Sequence, residues 1–310
     1  SPLCHKFMEE KGMKDTHELS EYFLEKITEM LSKKGVKTSG WQEVALHHSP
    51  EMNARIAPRF AGVYCWSTIG KRDVVPYTVA NEGYDVILCN VNNLYIDLAY
   101  NPHKDEPGLT WGGYVNEFTS FNILPYNIYC SARENTAGEK NNLKTAGKGK
   151  IQLTEQSRPR IKGVQAQLFS ETIGSFDMVQ YYVFPKIFGL VERGWNAYPE
   201  WSPVPNDDKQ ALYEKARAIY NAKIAEIELP RLAADGFNFR VAQPGIKIVE
   251  GKLYANSPIP QAEIRYTTDG SEPTATSTLW EAPVDCSATV VKAKLFYLGK
   301  ESHTTDYKND

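Results

Sequence analysis

The chain has 310 residues and a mass of 35.0 kDa, which is enough for one large domain and a small one. Hydrophobic residues make up 42% of it and charged residues 24%, a composition typical of globular proteins. The net charge of −3 argues against a nucleic-acid-binding protein or one that binds an anionic membrane surface. No run approaches the ~18 consecutive apolar residues of a membrane span.

The cysteines and histidines predict neither a disulfide framework nor a metal site. Five cysteines are scattered without a CxxC spacing, so we expect free, mostly buried thiols: Cys4, Cys65, Cys89, Cys130 and Cys286. His47 and His48 precede Ser49-Pro50 in a predicted loop and have no carboxylate or cysteine partners at ligand spacing. We therefore expect no bound metal and no cofactor.

A helix over residues 15–34 is the first predicted element. Asp15 and Glu18 stand at capping-box spacing, and Gly35 supplies the stop. Apolar residues recur along one helical stripe, at Leu19, Phe23, Ile27, Met30 and Leu31. This spacing predicts an amphipathic helix.

Three strand-like runs follow, with a short helical segment between the last two. The first, 36–44, contains Trp41, and the second, 59–66, ends on Trp66. The third occupies 84–91, and its run from Val86 to Cys89 has the continuous apolar character of a strand buried on both faces, as in a parallel sheet.

Tyr95 and Asp97 stand two residues apart just beyond the third run. In extended backbone this spacing puts both side chains on one face. A phenol and a carboxylate that project together past a buried strand are well placed to bind a polyhydroxylated ligand.

Residues 102–158 form a long irregular connection, which is uncommon within a compact domain unless it is functional or mobile. It contains Asp105-Glu106, the only Asp-Glu dipeptide of the chain, directly before Pro107. We interpret these two carboxylates as surface charge.

Regular structure resumes with a strand at 161–171, which ends in Glu171. Helices are predicted over 176–193, despite Pro185, and over 207–232. Beyond Gly236, short alternating runs broken by turn residues indicate an all-β module of roughly 70 residues. We therefore predict two domains, 1–236 and 237–310.

The fold class is α/β. Four strands alternate with helices, and each strand is followed by tryptophan, Tyr/Asp or glutamate, which is how a TIM-type barrel builds its active face. Barrel closure takes about eight strands. The sequence therefore predicts only half of such a barrel.

Six segments, in this order and spacing, carry a resemblance to glycoside hydrolase family 20: Ser39–Glu43, Gly62–Trp66, Asn93–Asp97, Gly163–Glu171, Phe184–Trp195 and Tyr266–Thr274. The chain resembles the C-terminal portion of a bacterial β-N-acetylhexosaminidase of that family. The resemblance implies strands five to eight of a (β/α)8 barrel, without strands one to four, followed by a small all-β sandwich.

The resemblance also implies an exo-acting, retaining hydrolase that removes terminal β-linked N-acetylglucosamine or N-acetylgalactosamine. In the family the acetamido oxygen of the substrate is the nucleophile, which is an exception to two-carboxylate chemistry. By similarity, Trp41 and Trp66 would form walls of the acetamido pocket, and Tyr95 would donate a hydrogen bond to the acetamido oxygen. Asp97 and Glu171 would accept hydrogen bonds from hydroxyls of the terminal sugar.

Two aromatic positions have less definite implications. Phe169 stands where the family usually has a third tryptophan, so it would form a smaller wall without an N–H group. Trp111, in the long irregular connection, is either a rim aromatic at a further sugar position or the anchor of that loop.

The catalytic Asp-Glu pair of the family, which closes the fourth strand, has no counterpart in this sequence. We therefore expect a chain that starts beyond that pair, supplies the sugar-binding half of the site and is inactive alone. The alternative is a non-catalytic glycan-binding or structural half-barrel protein.

We also expect association through the open half of the predicted barrel. Four strands leave two unpaired sheet edges, which predicts self-association or pairing with the N-terminal half. For the full-length protein we expect a periplasmic or secreted location.

Overall fold

A parallel sheet forms the centre of the N-terminal part of the chain. The computed structural model describes residues 1–135 and 137–308, so position 136 of the long connection lies outside the described residues. In the described part, the sheet has four strands in the order β1 (Thr38–Trp41), β2 (Phe60–Cys65), β3 (Val86–Leu88) and β4 (Ile161–Val164). Every adjacent pair is parallel, so the carboxyl ends of all four strands lie at one edge.

Ten α-helical segments occur in the same described ranges: α1 (Pro2–Lys11), α2 (Thr16–Lys33), α3 (Pro50–Ile56), α4 (Val75–Asn81), α5 (Val91–Leu94), α6 (Glu117–Phe121), α7 (Phe176–Val183), α8 (Lys186–Trp195), α9 (Gln210–Lys223) and α10 (Leu229–Ala234). A single π-helical turn, Ile224–Glu228, joins α9 to α10. None of these helices is long and apolar enough to cross a membrane.

Helix α2 begins at the predicted N-cap, because the Asp15 side chain accepts hydrogen bonds from the backbone N–H groups of His17 and Glu18. The Glu18 side chain accepts from the N–H of Lys14 and not from that of Asp15, so the capping box that the spacing suggested is only half formed. Its apolar stripe is only partly covered. Phe23 is 66% exposed and Met30 is also exposed, whereas the fully buried position on the helix is Thr28. The stripe is therefore not buried as a whole in the described part of the chain.

The core of the sheet lies between its strands and the helices α3 and α4. Val63, Val86 and Leu88 have no exposed surface and pack against Ile56 and Val79. Four of the five cysteines are buried and all five are free thiols, with Cys4 on the surface.

The C-terminal module is all-β, as predicted. Its strands are β5 (Gly245–Val249), β6 (Lys252–Asn256), β7 (Glu263–Thr267), β8 (Thr278–Leu279), β9 (Val284–Asp285), β10 (Val290–Tyr297), β11 (Lys300–Glu301) and β12 (Thr305–Lys308). One antiparallel sheet has the order β11-β10-β7-β8, with β12 also paired to β10, and the other has the order β5-β6-β9.

The two parts of the chain share a hydrophobic cluster. Phe121 of α6 and Tyr220 of α9 belong to the same cluster as Ile264 and Leu295 of the C-terminal module. Across this junction the Tyr297 hydroxyl donates a hydrogen bond to the Ala225 carbonyl at 2.6 Å. The predicted division at 236/237 stays a prediction.

Local conformation differs from expectation at two points. The strand predicted over 84–91 is only β3, and α5 follows it. Tyr95 then forms a single bridge and Asp97 lies in a turn, so the two residues do not share a run of extended backbone. The helix predicted over 176–193 is split into α7 and α8 at Pro185, because proline has no N–H to donate and disfavours helical backbone at the preceding Phe184.

The interpretation of Glu106 as surface charge is wrong. Its side chain is fully buried, and its two oxygens accept three hydrogen bonds from the Arg240 guanidinium at 2.9–3.1 Å and one from the Tyr181 hydroxyl at 2.6 Å. Asp105 is exposed, as expected. Arg240 lies 134 positions away in the sequence, so no local sequence pattern predicts the Glu106–Arg240 ion pair.

Candidate functional site

A cavity of about 350 Å³ opens at the carboxyl edge of the parallel sheet, where α/β proteins build their binding sites. All six residues predicted as a site line it: Trp41, Trp66, Tyr95, Asp97, Phe169 and Glu171. Glu43, Leu109 and Trp111 complete the lining. The structure thus brings the predicted residues together, and their roles stay predictions.

Aromatic rings form most of the cavity wall. The ring of Tyr95 is central. Its centroid lies 5.5 Å from the ring centroid of Phe169, 5.9 Å from that of Trp111 and 6.4 Å from that of Trp66. Trp41 extends the wall, 6.5 Å from Phe169. Such faces bind the apolar C–H surfaces of a ring or a methyl group while polar groups between them fix its orientation.

Two neighbouring side chains hold Trp66 in place from the adjacent strand end. The Gln42 side-chain oxygen accepts hydrogen bonds from the backbone N–H groups of Trp66 and Ser67, both at 3.0 Å. The Glu43 carboxylate accepts the indole N–H of Trp66 at 3.0 Å. The backbone and the ring of Trp66 are therefore both fixed before any ligand arrives.

Tyr95 is placed by pairing with the chain beyond β4 rather than by strand β3. It forms a single parallel bridge with Gln167, in which the N–H of Gln167 donates to Leu94 and the N–H of Ile96 donates to Gln167. Only 5% of Tyr95 is exposed, and its hydroxyl makes no hydrogen bond within the described residues. Burial raises the pKa of Tyr95, so the hydroxyl stays protonated and can donate.

Asp97 has a buried carboxylate, and one of its oxygens lacks a hydrogen-bond partner in the described residues. The residue is 3% exposed, and within the part of the chain that the structure describes its Oδ1 atom has no hydrogen-bond partner. Burial raises the pKa of this carboxyl above its ordinary value. Glu171, on the same cavity, is exposed. Asp97 is thus a desolvated hydrogen-bond acceptor and Glu171 a solvated one.

The loop after Asp97 brings Trp111 to the cavity. Leu98 and Leu109 form a parallel bridge, and Gly108 between them has φ 121° with its Cα against the Ala99 backbone, where a Cβ would stand 2.6 Å from the Ala99 nitrogen. A Cβ on Gly112 would meet Val91 and Leu98 at less than 3.0 Å. These glycines let the loop pack closely enough to set Trp111 beside Trp66 and Tyr95.

The sequence did not identify Glu43 or Leu109 as site residues. Glu43 could have been found, because a carboxylate directly after a strand that ends in tryptophan lies at the carboxyl edge of the sheet. Leu109 reaches the cavity only through the loop bridge, which has no sequence signal. In the described ranges, no group of three or more histidine, cysteine, aspartate or glutamate side chains is arranged to hold a metal ion.

Two family models match the chain. Residues 1–198 match glycosyl hydrolase family 20, catalytic domain, and residues 228–303 match the chitobiase/beta-hexosaminidase C-terminal domain. An N,N'-diacetylchitobiase from Vibrio harveyi is 28% identical over 287 residues, covering 87% of this chain and 31% of that protein. A beta-hexosaminidase from Vibrio vulnificus is 25% identical over 292 residues, covering 87% of this chain and 33% of that protein. The chain thus spans about a third of the length of these relatives.

A solved structure has the same fold. The exo beta-N-acetylglucosaminidase of Vibrio harveyi, determined in complex with N-acetylglucosamine, superposes with a TM-score of 0.53 at 23% sequence identity. The match covers 77% of this chain and 30% of that one.

Proposed function

The chain belongs to glycosyl hydrolase family 20, and we propose that it forms the sugar-binding half of the active site of an exo-acting β-N-acetylhexosaminidase. The substrate class is a terminal, β-linked N-acetylglucosamine or N-acetylgalactosamine. The observation that carries the proposal is the Asp97 carboxylate, which is buried with an unpartnered oxygen in a cavity walled by aromatic rings. Because the Asp97 side chain lines the cavity, hydroxyls of a bound sugar would donate hydrogen bonds to this carboxylate.

The cavity residues divide into apolar walls and polar contacts. Trp41, Trp66 and Phe169 enclose the acetamido group, whose carbonyl oxygen attacks the anomeric carbon and gives an oxazolinium intermediate. The Tyr95 hydroxyl donates a hydrogen bond to that oxygen as it becomes nucleophilic. Asp97 and Glu171 accept hydrogen bonds from ring hydroxyls. Trp111, which also lines the cavity, would stack against a following sugar.

The general acid lies outside this chain in our proposal. The only Asp-Glu dipeptide is Asp105-Glu106, and Glu106 is fully occupied by Arg240 and Tyr181. The four parallel strands are then half of a (β/α)8 barrel, and the other half supplies the group that protonates the leaving oxygen.

The exposed apolar surface supports pairing with such a half or with a second copy. Strands β1 and β4 are the edges of the sheet in the described ranges. Phe23 of α2 and Trp195 of α8 are 66% and 90% exposed. We expect light scattering to show a mass above that of a monomer, and a monomeric mass would contradict this part of the proposal.

Calorimetric titration with N-acetylglucosamine tests the sugar site, with glucose as the control ligand that lacks the acetamido group. We expect binding of N-acetylglucosamine, much weaker binding of glucose, and loss of binding in Trp66→Ala. Equal affinity for both sugars, or none for either, would contradict the proposal.

A non-catalytic glycan-binding protein is the second candidate, favoured by the absence of a free Asp-Glu pair in the sequence. Hydrolysis of an aryl β-N-acetylglucosaminide separates the two once the other half is added. Turnover that requires both parts supports the hydrolase, and sugar binding without turnover supports the binding protein. Turnover by this chain alone, well above that of Tyr95→Phe, would show that the missing pair is not essential.

A further inference from the structure

Lys186 is a buried cation directly behind the Asp97 turn. It is the first residue of α8 and has no exposed surface. Its Nζ donates hydrogen bonds to the carbonyl oxygens of Ile96 at 2.8 Å and Leu98 at 2.6 Å. These are the two carbonyls that flank Asp97 along the chain, so one ammonium group holds both sides of the residue.

Stability alone does not account for lysine at this position. Burial of an ammonium group is costly, and a cation at the amino end of a helix is disfavoured by the helix dipole. No carboxylate of the described residues lies within 4.0 Å of Nζ, and besides the two carbonyls its near contact is the face of Tyr100, at 3.7 Å. Burial lowers the pKa of Lys186 well below its ordinary value. A methionine would fill the same space without this desolvation.

We propose that Lys186 is a positioning residue that fixes the direction of the Asp97 carboxylate and favours its ionised form. The inference rests on the proposed sugar site, because it assigns Lys186 a role in aiming one of that site's acceptors. Other charged groups that act on Lys186 are Arg240, Glu106 and Glu117, and Glu171 acts on Asp97 from across the cavity.

The backbone N–H groups around Asp97 make hydrogen bonds that do not involve Lys186. The N–H of Ile96 donates to Gln167, the N–H of Leu98 to Tyr95 and the N–H of Ala99 to Leu109. Among the described residues, Lys186 is the hydrogen-bond donor for the carbonyls of both Ile96 and Leu98. Its removal should therefore loosen and reorient the turn without unfolding the domain.

The test compares Lys186→Met with Arg193→Met, a matched control on the same helix. Arg193 is also a buried cation, 2% exposed, that donates to the carbonyls of Phe121 and Asn196 and lies over aromatic rings. It does not contact the Asp97 turn. Both variants lose a buried charge, so a general effect of destabilisation would appear in each.

Two readouts are independent of sugar binding. In Lys186→Met we expect the Asp97 carboxyl, followed by ¹³C NMR, to titrate roughly one pH unit higher, because a nearby cation is lost. We also expect faster amide exchange at Ile96, Leu98 and Ala99. Arg193→Met should change neither. An Asp97 midpoint and exchange rates equal to the wild type's in Lys186→Met would overturn the proposal.

The sugar titration then separates the two hypotheses. If the wild-type chain binds N-acetylglucosamine, Lys186→Met should weaken the binding about tenfold. If the wild type does not bind, the sugar site fails while the Asp97 midpoint still decides the role of Lys186. Should the methionine variant not fold, Lys186→Gln keeps an N–H donor without the charge, and a wild-type Asp97 midpoint in it would overturn the proposal.

Discussion

Asp97 and Glu106 are two buried carboxylates on one stretch of chain, and their surroundings are opposite. Glu106 has both oxygens occupied by Arg240 and Tyr181. Asp97 has an oxygen without a partner, and its side chain lines an open cavity. Burial does not distinguish the two residues, whereas their hydrogen-bond partners do.

The difference separates a structural ion pair from the carboxylate that we propose as a ligand contact. A buried carboxylate is stable when a guanidinium satisfies both of its oxygens, and it is costly when one oxygen is left unpaired. The Glu106–Arg240 pair ties the long connection to the segment before β5. The Asp97 side chain instead lines the cavity, so its carboxylate is available to the ligand that we propose.

We expect the largest effect on stability from a change at Glu106, whose carboxylate has hydrogen-bond partners on both oxygens. Glu106→Gln should lower the free energy of unfolding by about 3–5 kcal/mol, because it leaves the Arg240 charge buried without a counter-ion. Urea denaturation measures the change. Glu301→Gln, which breaks an exposed pair with Lys294, is the control and should cost less than about 1 kcal/mol. Similar losses in the free energy of unfolding for the two variants would contradict the prediction that the buried ion pair is more important for stability than the exposed one.

A smaller effect on stability, of opposite sign, is expected at the unsatisfied carboxylate. The pKa of folded Asp97 is raised above its ordinary value near 3.8, so the folded state binds the proton more tightly than the unfolded chain. Its contribution to stability is therefore present at low pH and is lost as the pH rises from about 3.8 through the folded pKa. At neutral pH, Asp97→Asn should be at least as stable as the wild type and should not bind N-acetylglucosamine.

Urea denaturation of Asp97→Asn and the wild type between acidic and neutral pH, with calorimetry at neutral pH, checks this prediction. The stability of the wild type relative to the variant should fall as the pH rises across that window. A relative stability that rises instead, or a variant that binds the sugar normally, would make Asp97 a structural residue like Glu106.

The predictable parts of this molecule are those fixed by topology. Trp41, Trp66, Tyr95 and Glu171 meet in one cavity, although extended backbone does not continue from Tyr95 through Asp97 as expected. They meet because parallel strands place their carboxyl ends at one edge, whatever the local conformation beyond each end.

The parts that could not be predicted depend on contacts between distant segments. The sequence around Glu106 predicts surface charge, because it does not show that Arg240 lies beside it. The sequence around Lys186 predicts an ordinary helix residue, because it does not show that the Asp97 turn lies over its amino group. Exposure of Phe23 likewise depends on which surface covers α2, and periodicity alone cannot show that.

The Glu106–Arg240 pair has a consequence for dividing the chain into separate pieces. Arg240 lies just beyond the predicted boundary at 236/237, while Glu106 belongs to the same loop as Trp111. A chain cut at that boundary would keep the carboxylate and lose its guanidinium, and the loop that carries the rim of the cavity would be left without its anchor. The segment before β5 thus supports the loop that lines the cavity, and a fragment made to test the proposed sugar binding has to extend past Arg240.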